Sequence, residues 1–128
     1  MFREMRRKKQ ALPAGEVTAI LCRGTSGVLA LSGDDDYPYA VPISFVFDGA
    51  KLYFHCAKGG HKLDAIQRSS KASFCVIDQD LIVSEKYTTY FRSVIAFGQI
   101  RIIEDEKEKR AAIEKLTKKY SPCLLYTS

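Results

Sequence analysis

Apolar segments alternate with turn-forming residues through the first half of the chain. Three stretches rich in β-branched, aromatic and other apolar residues each predict a strand; they are Gly27–Ser32, Tyr39–Phe47 and Lys51–Cys56. The dipeptide Asp48-Gly49 separates the second stretch from the third and is a strong hairpin signal. Because proline cannot donate a ladder hydrogen bond, Pro38 and Pro42 indicate a sheet edge or a bulge in the second strand. The pattern therefore predicts a meander of three antiparallel strands.

The second half of the chain adds two further β-segments. Ala72–Ile77 predicts a fourth strand, and a longer β-segment runs from about Tyr87 to Ile103. Gly98 lies inside the longer segment and predicts a bulge or sharp bend, of the kind that curls a sheet into a barrel.

Three segments have the periodicity of helices. Glu16–Arg23 is closed by Gly24, a short helix starts near His61, and a last helix covers Glu104–Tyr120. In that last helix acidic residues lead and lysines trail, which suits the helix macrodipole. The residues predicted to share an apolar face are Leu63, Ala65 and Ile66 in the short helix, and Ala112, Ile113, Leu116 and Tyr120 in the last.

Together these elements predict one domain of the α+β class. Short antiparallel strands joined by hairpins, with helices outside them, are typical of a small antiparallel β-barrel with flanking helices. We expect residues 15–120 to form this domain, residues 1–14 to be a basic N-terminal arm and residues 121–128 to be a C-terminal tail.

The charge of the chain is concentrated at its N-terminus. The 128 residues carry a net charge of +5, and residues 1–9 alone contribute +4 of it. Such a distribution is more typical of a solvated tail than of a nucleic-acid-binding surface. No apolar stretch approaches the roughly 20 residues that span a bilayer, and no apolar segment of a secretory signal follows the basic start. We therefore expect a cytoplasmic protein without a membrane or nucleic-acid partner.

The residue types that hydrolytic or metal chemistry requires are sparse. His55 and His61 are the two histidines, and none of the four cysteines forms a CxxC pair or lies at a zinc-ligand spacing from a histidine. Cys56 follows His55, but neighbours on a strand point to opposite faces, which excludes a Cys–His couple there. No metal site is predicted, so redox chemistry would depend on an organic cofactor.

The segment Lys58-Gly59-Gly60-His61-Lys62 joins a predicted strand to a predicted helix. Its glycines permit close approach of a ligand, the amides at the helix start attract an anion, and Lys62 adds a positive charge. These are the requirements of a phosphate site, although the spacing matches neither a Walker A loop nor a dinucleotide fingerprint. The alternative is a plain strand-to-helix turn with an exposed lysine, which the local sequence by itself favours.

Five segments in succession carry a resemblance to a known family. They are Gly27–Leu31, Pro38–Phe45, Leu52–Lys58, Gly60–Ile66 and Tyr90–Gly98. The chain resembles the pyridoxamine-phosphate-oxidase-like flavoproteins, and within them the branch related to 5-nitroimidazole resistance reductases, over about residues 15–120. This resemblance implies an FMN-binding split β-barrel that forms a homodimer with two FMN molecules at the subunit interface.

The resemblance also implies which residues contact the flavin. Segment 41–44 would run along the isoalloxazine ring through backbone hydrogen bonds, and segment 55–57 would line the ring and the ribityl chain. His61 and Lys62 would hold the phosphate, and segment 90–93 would come from the long strand, where it could reach the flavin of the other subunit. The implied cofactor-binding set is Val41, Pro42, Ile43, Ser44, His55, Cys56, Ala57, His61, Lys62, Tyr90, Arg92 and Ser93. His55 best matches the histidine implicated in the activity of resistance-type relatives, so it is the candidate catalytic residue.

The activity implied by the resemblance is that of an FMN-dependent oxidoreductase which reduces a small acceptor, such as a nitroaromatic compound. A non-catalytic flavin or haem carrier on the same barrel is the first alternative, because fold does not determine function. Nucleic-acid binding through the basic arm is the second. Residues 121–128 depart from the family, whose members continue past the last helix into another strand that helps to complete the barrel. Without that strand a sheet edge would be exposed.

Overall fold

Five antiparallel strands form a curled sheet flanked by three helices. The computed structural model describes residues 12–55, 59–83 and 88–120. Within them no helix is long and apolar enough to cross a bilayer. The elements are α1 (Ala14–Arg23), β1 (Ser26–Ser32), a single 3-10 turn (Asp34–Asp36), β2 (Pro38–Phe47), β3 (Leu52–Phe54), α2 (His61–Arg68), β4 (Lys71–Val83), β5 (Thr88–Gln99) and α3 (Glu106–Tyr120).

The strand order of the sheet is β3-β2-β1-β4-β5. The β2–β3 hairpin follows the predicted Asp48-Gly49 turn: the Asp48 carboxylate accepts hydrogen bonds from the amides of Ala50 and Lys51 at 2.9 and 2.7 Å, and Gly49 adopts a φ of +100°. These amides, followed by the ammonium of Lys115 at 3.0 Å, hold the pKa of Asp48 well below its usual range. The antiparallel sheet with its external helices confirms the predicted α+β class.

The core lies on one face of the sheet. Phe45 and Phe74 are buried there, and their rings make an edge-to-face contact with centroids 4.9 Å apart. Helix α1 covers this face with Ile20 and Leu21, and α2 contributes Ala65, which is fully buried. Alternation along each strand therefore sends one set of side chains into the core and the other set to the opposite face.

The bulge in the long hairpin lies on β4, so the prediction that Gly98 marks it is wrong. Gly98 pairs regularly with Ala72, whereas the register of β4 and β5 shifts between Ile77 and Gln79 and leaves Asp78 as the extra residue. The carboxylate of Asp78 accepts two hydrogen bonds of 2.7 Å from Arg23 at the end of α1. This pairing with α1 provides the physical reason for a bulge at that position.

Helix α3 starts two residues later than predicted and buries a narrower face. Asp105 caps the N-terminus of α3, because its side chain accepts a hydrogen bond of 2.9 Å from the amide of Glu108. Ala112 is buried, as predicted, but Ile113 is 46% exposed, so its placement on the buried face is wrong. The last turn of α3 packs against β2 through Lys119 and Tyr120 instead.

Candidate functional site

One side of β2 forms an open edge, which here means that no described residue pairs with it along segment 38–44. The amide of Phe45 donates a 2.9 Å hydrogen bond to the Tyr120 hydroxyl, and that hydroxyl lies against the carbonyl of Thr25, just before β1. The peptide groups of Phe45 therefore point towards β1. Because peptide directions alternate along a strand, those of Ala40, Pro42 and Ser44 point the other way. Within the described residues no strand pairs with that side of segment 38–44, since β3 pairs only with residues 45–47.

Pro42 fits this open edge. Its partner on β1 is Val28, and its missing N–H lies on the side where no described strand pairs with it, so no ladder hydrogen bond to a described residue is lost. The strand order places β2 between β3 and β1, so β2 as a whole is not an edge strand; Pro42 lies in the part of β2 that β3 does not reach within the described residues.

The outer sheet face, which is the side of the sheet opposite the core, begins at this edge and is mostly apolar. Direct cross-strand partners share a face, and Pro42, Val28, Cys75 and Ile95 form one such row across four strands. Four large apolar side chains on it are exposed to the following fractions: Val28 39%, Ile77 54%, Ile95 59% and Phe97 60%. The described members of the outer sheet face include Ser26, Val28, Ala30, Ser32, Pro38, Ala40, Pro42, Ser44, Lys71, Ser73, Cys75, Ile77, Ser93, Ile95, Phe97 and Gln99, of which Lys71, at the start of β4, is charged.

The N-terminal turn of α2 offers hydrogen-bond donors and a cation. Gly60 precedes the helix with a φ of +112°, and its carbonyl accepts the first helical hydrogen bond from Asp64 at 3.1 Å. The amides of the first three helical residues, which include His61 and Lys62, therefore have no partner within the helix. The side chain of Lys62 is half-buried in this turn.

The imidazole of His61 is held against neighbouring elements. It stacks on the ring of Tyr39 with centroids 3.9 Å apart and an interplanar angle of 23°. Its Nε2 atom lies 3.9 Å from a carboxylate oxygen of Asp34. Arg68, at the other end of α2, donates to the carbonyl of Gly33 at 2.8 Å and to Asp34 at 3.1 Å. Both ends of α2 thus contact the turn between β1 and β2.

The predicted flavin-binding residues on β2 separate into two groups. Pro42 and Ser44 have their side chains on the outer sheet face and their peptide groups at the open edge. Ile43 is buried in the core and Val41 packs against it, and the peptide groups of both point towards β1. A ligand at the open edge would therefore contact Pro42 and Ser44 rather than Val41 and Ile43.

The predicted flavin-binding residues on β5 also lie on opposite faces of the sheet. Ser93 lies on the outer sheet face opposite Ile77. Arg92 pairs with the carboxylate of Glu16 on α1 and lies 3.8 Å from that of Asp78. Its Nε atom is buried and has no hydrogen-bond partner among the described residues. The hydrogen bonds from Arg23 lower the pKa of Asp78, so that Asp78 is available as an anion for both arginines.

The candidate catalytic residue His55 is exposed and directly follows β3. Extending the β2–β3 register by one residue places it opposite Ser44, at the open edge. Cys56, Ala57 and the side chain of Tyr90 were also predicted to bind the flavin, but they lie outside the described residues.

Three residues near this region were not predicted as part of a site. Tyr39 and Asp34 contact His61, and Tyr120 occupies the side of Phe45 that β1 leaves free. These contacts join residues that are distant in sequence, so no local sequence pattern predicts them.

The depressions in the described part of the chain include two shallow ones of about 250 and 300 Å³. One lies on the solvent side of α3 and the other beside Arg23 and Asp78, and neither is lined by a predicted flavin-binding residue. The described residues also contain no group of three His, Cys, Asp or Glu side chains that could hold a metal ion.

The sequence profile of the pyridoxamine 5'-phosphate oxidase family matches residues 13–126. The chain belongs to this family. The family-level resemblance predicted from the sequence is thereby confirmed. A comparison with curated proteins finds no match.

Solved structures of the same architecture are found in several bacteria. A flavocytochrome from Azotobacter vinelandii superposes with a TM-score of 0.80 at 20% identity, over 97% of this chain and 60% of that one. An FAD- and haem-binding protein from Mycobacterium smegmatis superposes with a TM-score of 0.77 at 24% identity, over 92% of this chain and 58% of that one. A candidate 5-nitroimidazole antibiotic resistance protein from Bacteroides thetaiotaomicron superposes with a TM-score of 0.75 at 22% identity, over 87% of this chain and 68% of that one.

These similarities confirm that this member of the pyridoxamine 5'-phosphate oxidase family has the split-barrel fold. The chain spans between 58% and 68% of the length of the three structures.

Proposed function

We propose that this chain binds FMN at the open edge of β2, with the isoalloxazine ring beside Pro42 and Ser44 and the phosphate at His61 and Lys62. The observation that carries the proposal is that the side of β2 with no strand partner among the described residues borders the apolar row of Pro42, Val28, Cys75 and Ile95. The polar rim of a flavin ring needs backbone donors and acceptors, and its faces need apolar surface. The side of β2 at Ala40, Pro42 and Ser44 offers both.

The phosphate is assigned to the first turn of α2 on electrostatic grounds. Amides without a partner in the helix and the positive end of the helix dipole attract an anion there. Lys62 supplies a full positive charge in the same turn, and a charged donor makes the stronger kind of hydrogen bond to phosphate. His61 adds a ring nitrogen beside it.

The proposed site is completed by a second copy of the chain that packs on the outer sheet face. Neither described depression is lined by a flavin-binding residue, whereas the outer sheet face exposes four large apolar side chains. Large exposed apolar patches are typical of interaction sites. The row formed by Pro42, Val28, Cys75 and Ile95 is uncharged, and Lys71 lies apart from it at the start of β4. Two copies can therefore meet around this row without like-charge repulsion, as a two-fold symmetric contact requires.

Replacing Ile95 by Asp should convert the dimer into a monomer. The carboxylate would lie in the middle of the proposed interface, where burying an unpaired charge is strongly unfavourable. Ile113→Asp is the matched control, because Ile113 is exposed to a similar extent but lies on α3, away from the sheet. Sedimentation velocity at one protein concentration should show a monomer for Ile95→Asp and a dimer for Ile113→Asp. An Ile95→Asp dimer would place the interface elsewhere.

We further propose that the FMN-bound chain is an oxidoreductase, with His55 as the catalytic residue and a nitroaromatic compound as the acceptor. When bound, FMN supplies reversible uptake and release of electrons. The chain would orient the flavin, and the exposed imidazole of His55 would donate a proton to the acceptor as it is reduced.

The test of this activity is the reoxidation of dithionite-reduced, FMN-bound protein by a nitroimidazole in the absence of oxygen. Reoxidation should be faster than that of free reduced FMN at the same concentration, and His55→Gln should slow it without releasing the flavin. If both proteins react at the rate of free FMN, the chain is not a nitroaromatic reductase.

A flavin or haem carrier is the second candidate function, and the Mycobacterium smegmatis neighbour that binds FAD and haem is the observation that favours it. A carrier would retain flavin, but its reduced flavin would reduce the acceptor no faster than free reduced FMN does. Haem uptake would give a Soret band on addition of hemin.

A further inference from the structure

We propose that Tyr39 is a positioning residue for the flavin phosphate, because it holds the imidazole of His61 at the start of α2. This inference rests on the proposed function and adds a residue that the family resemblance does not assign to the site. Its basis is the stacked contact between the two rings, 3.9 Å apart at an interplanar angle of 23°.

The turn between β1 and β2 keeps His61 close to Tyr39. Gly33 is buried, and a Cβ atom at this position would lie 2.8 Å from the carbonyl of Tyr37 and 3.3 Å from Nε2 of His61. Only glycine fits there without displacing one of them. The neighbouring Asp34 lies 3.9 Å from the same Nε2 atom, so the ring is bounded by Tyr39 on one face and by the turn at its edge.

Arg68 fixes the helix from its other end. It donates to the carbonyl of Gly33 and to Asp34, so the turn is tied to the last residue of α2 as well as to the first. The N-terminal turn of α2 therefore cannot shift along β2 without breaking contacts at both ends.

A held imidazole is a better phosphate ligand than a free one. An exposed side chain loses rotamer freedom when a ligand binds, and this loss reduces affinity unless the side chain is already ordered. The side chain of His61 is 41% exposed, and its contact with Tyr39 orders it before the ligand arrives. The expected benefit is confined to ligands that carry the phosphate.

The test compares FMN with riboflavin, which lacks the phosphate, in titrations of three variants. Tyr39→Val keeps a residue suited to a strand but removes the ring, and it should weaken FMN binding by about two- to tenfold with riboflavin affinity unchanged. Tyr39→Phe keeps the ring and should bind both flavins as the unmodified chain does. Tyr37→Val is the control, because Tyr37 is 74% exposed two residues away.

The outcomes separate this inference from the proposal on which it rests. An unmodified chain that binds FMN and riboflavin equally well would overturn the phosphate site, and the positioning role with it. An unmodified chain that prefers FMN, together with a Tyr39→Val variant that keeps the full preference or loses both flavins equally, would overturn the positioning role alone.

Tyr39 packs partly against the core, so a second measurement avoids removing it. In the NMR spectrum of the unmodified protein, the ring protons of His61, identified by their loss in His61→Gln, should be shifted upfield by the Tyr39 ring. They should move on addition of FMN and stay in place on addition of riboflavin. Unshifted ring protons, or an equal response to both flavins, would contradict the role proposed for Tyr39.

Discussion

Replacing Lys62 by Ala should weaken FMN binding by about ten- to a hundredfold and leave riboflavin binding nearly unchanged. A hydrogen bond to a charged group contributes about 1.5–3 kcal/mol, and each 1.4 kcal/mol corresponds to about a tenfold change in the dissociation constant. Lys62 lies half-buried in the first turn of α2, beside amides that have no partner in the helix. Its ammonium and these amides would converge on the phosphate.

Calorimetric titration with both flavins measures this effect. Lys51→Ala is the matched control, because it removes the same charge from an exposed position in the β2–β3 turn and should change FMN affinity by less than about twofold. An equal loss of FMN and riboflavin affinity in Lys62→Ala would mean that this lysine stabilises the fold and that the phosphate binds elsewhere.

Phe45→Ala should lower the free energy of unfolding by about 3–5 kcal/mol. Phe45 is fully buried, its ring packs edge-to-face on Phe74, and the ammonium of Lys119 lies 4.2 Å from its centroid. A Cβ atom on Gly24 would come within 2.9 Å of the same ring, which shows how closely α1 approaches it. Truncation would leave a cavity between the sheet, α1 and α3 that these elements cannot close without moving.

Urea unfolding, followed by circular dichroism at one protein concentration, is the measurement. Tyr37→Ala is the control, since a side chain exposed to 74% should contribute within about 0.5 kcal/mol. Should Phe45→Ala unfold at the same urea concentration as the unmodified chain, the core would not be centred on Phe45.

The elements with local signals were predicted well from the sequence. The β2–β3 hairpin follows from Asp48-Gly49, because the carboxylate and the glycine satisfy the turn within a few residues. The end of α1 at Gly24 was also predicted, although a Cβ atom there would meet the distant side chains of Phe45 and Val76. Helix α2 begins at His61 as predicted because Gly60, with its positive φ, immediately precedes it.

Long-range contacts explain the features that were not predicted. The bulge at Asp78 depends on Arg23, which is 55 residues away in sequence. Ile113 is exposed because α3 meets β2 through its last turn, where Lys119 and Tyr120 contact the backbone of Phe45. The apolar periodicity of a helix does not indicate which of its turns will contact another element of the fold.

The candidate site was predicted only in outline for the same reason. Pro42, Ser44 and Ser93 share the outer sheet face, and His61 and Lys62 share the first turn of α2. Arg92 instead pairs with Glu16 of α1 within the same chain, a contact between residues 76 positions apart. The roles of Tyr39 and Asp34 depend on how the turn between β1 and β2 meets α2.

Native mass spectrometry of the purified chain after addition of excess FMN tests the central claim most directly. The account predicts a dimer that carries two FMN molecules. At a lower FMN concentration, near the dissociation constant of the unmodified chain, the Lys62→Ala dimer should carry far less FMN than the unmodified dimer does. A monomer that binds one FMN, or a dimer that takes up none, would contradict the account.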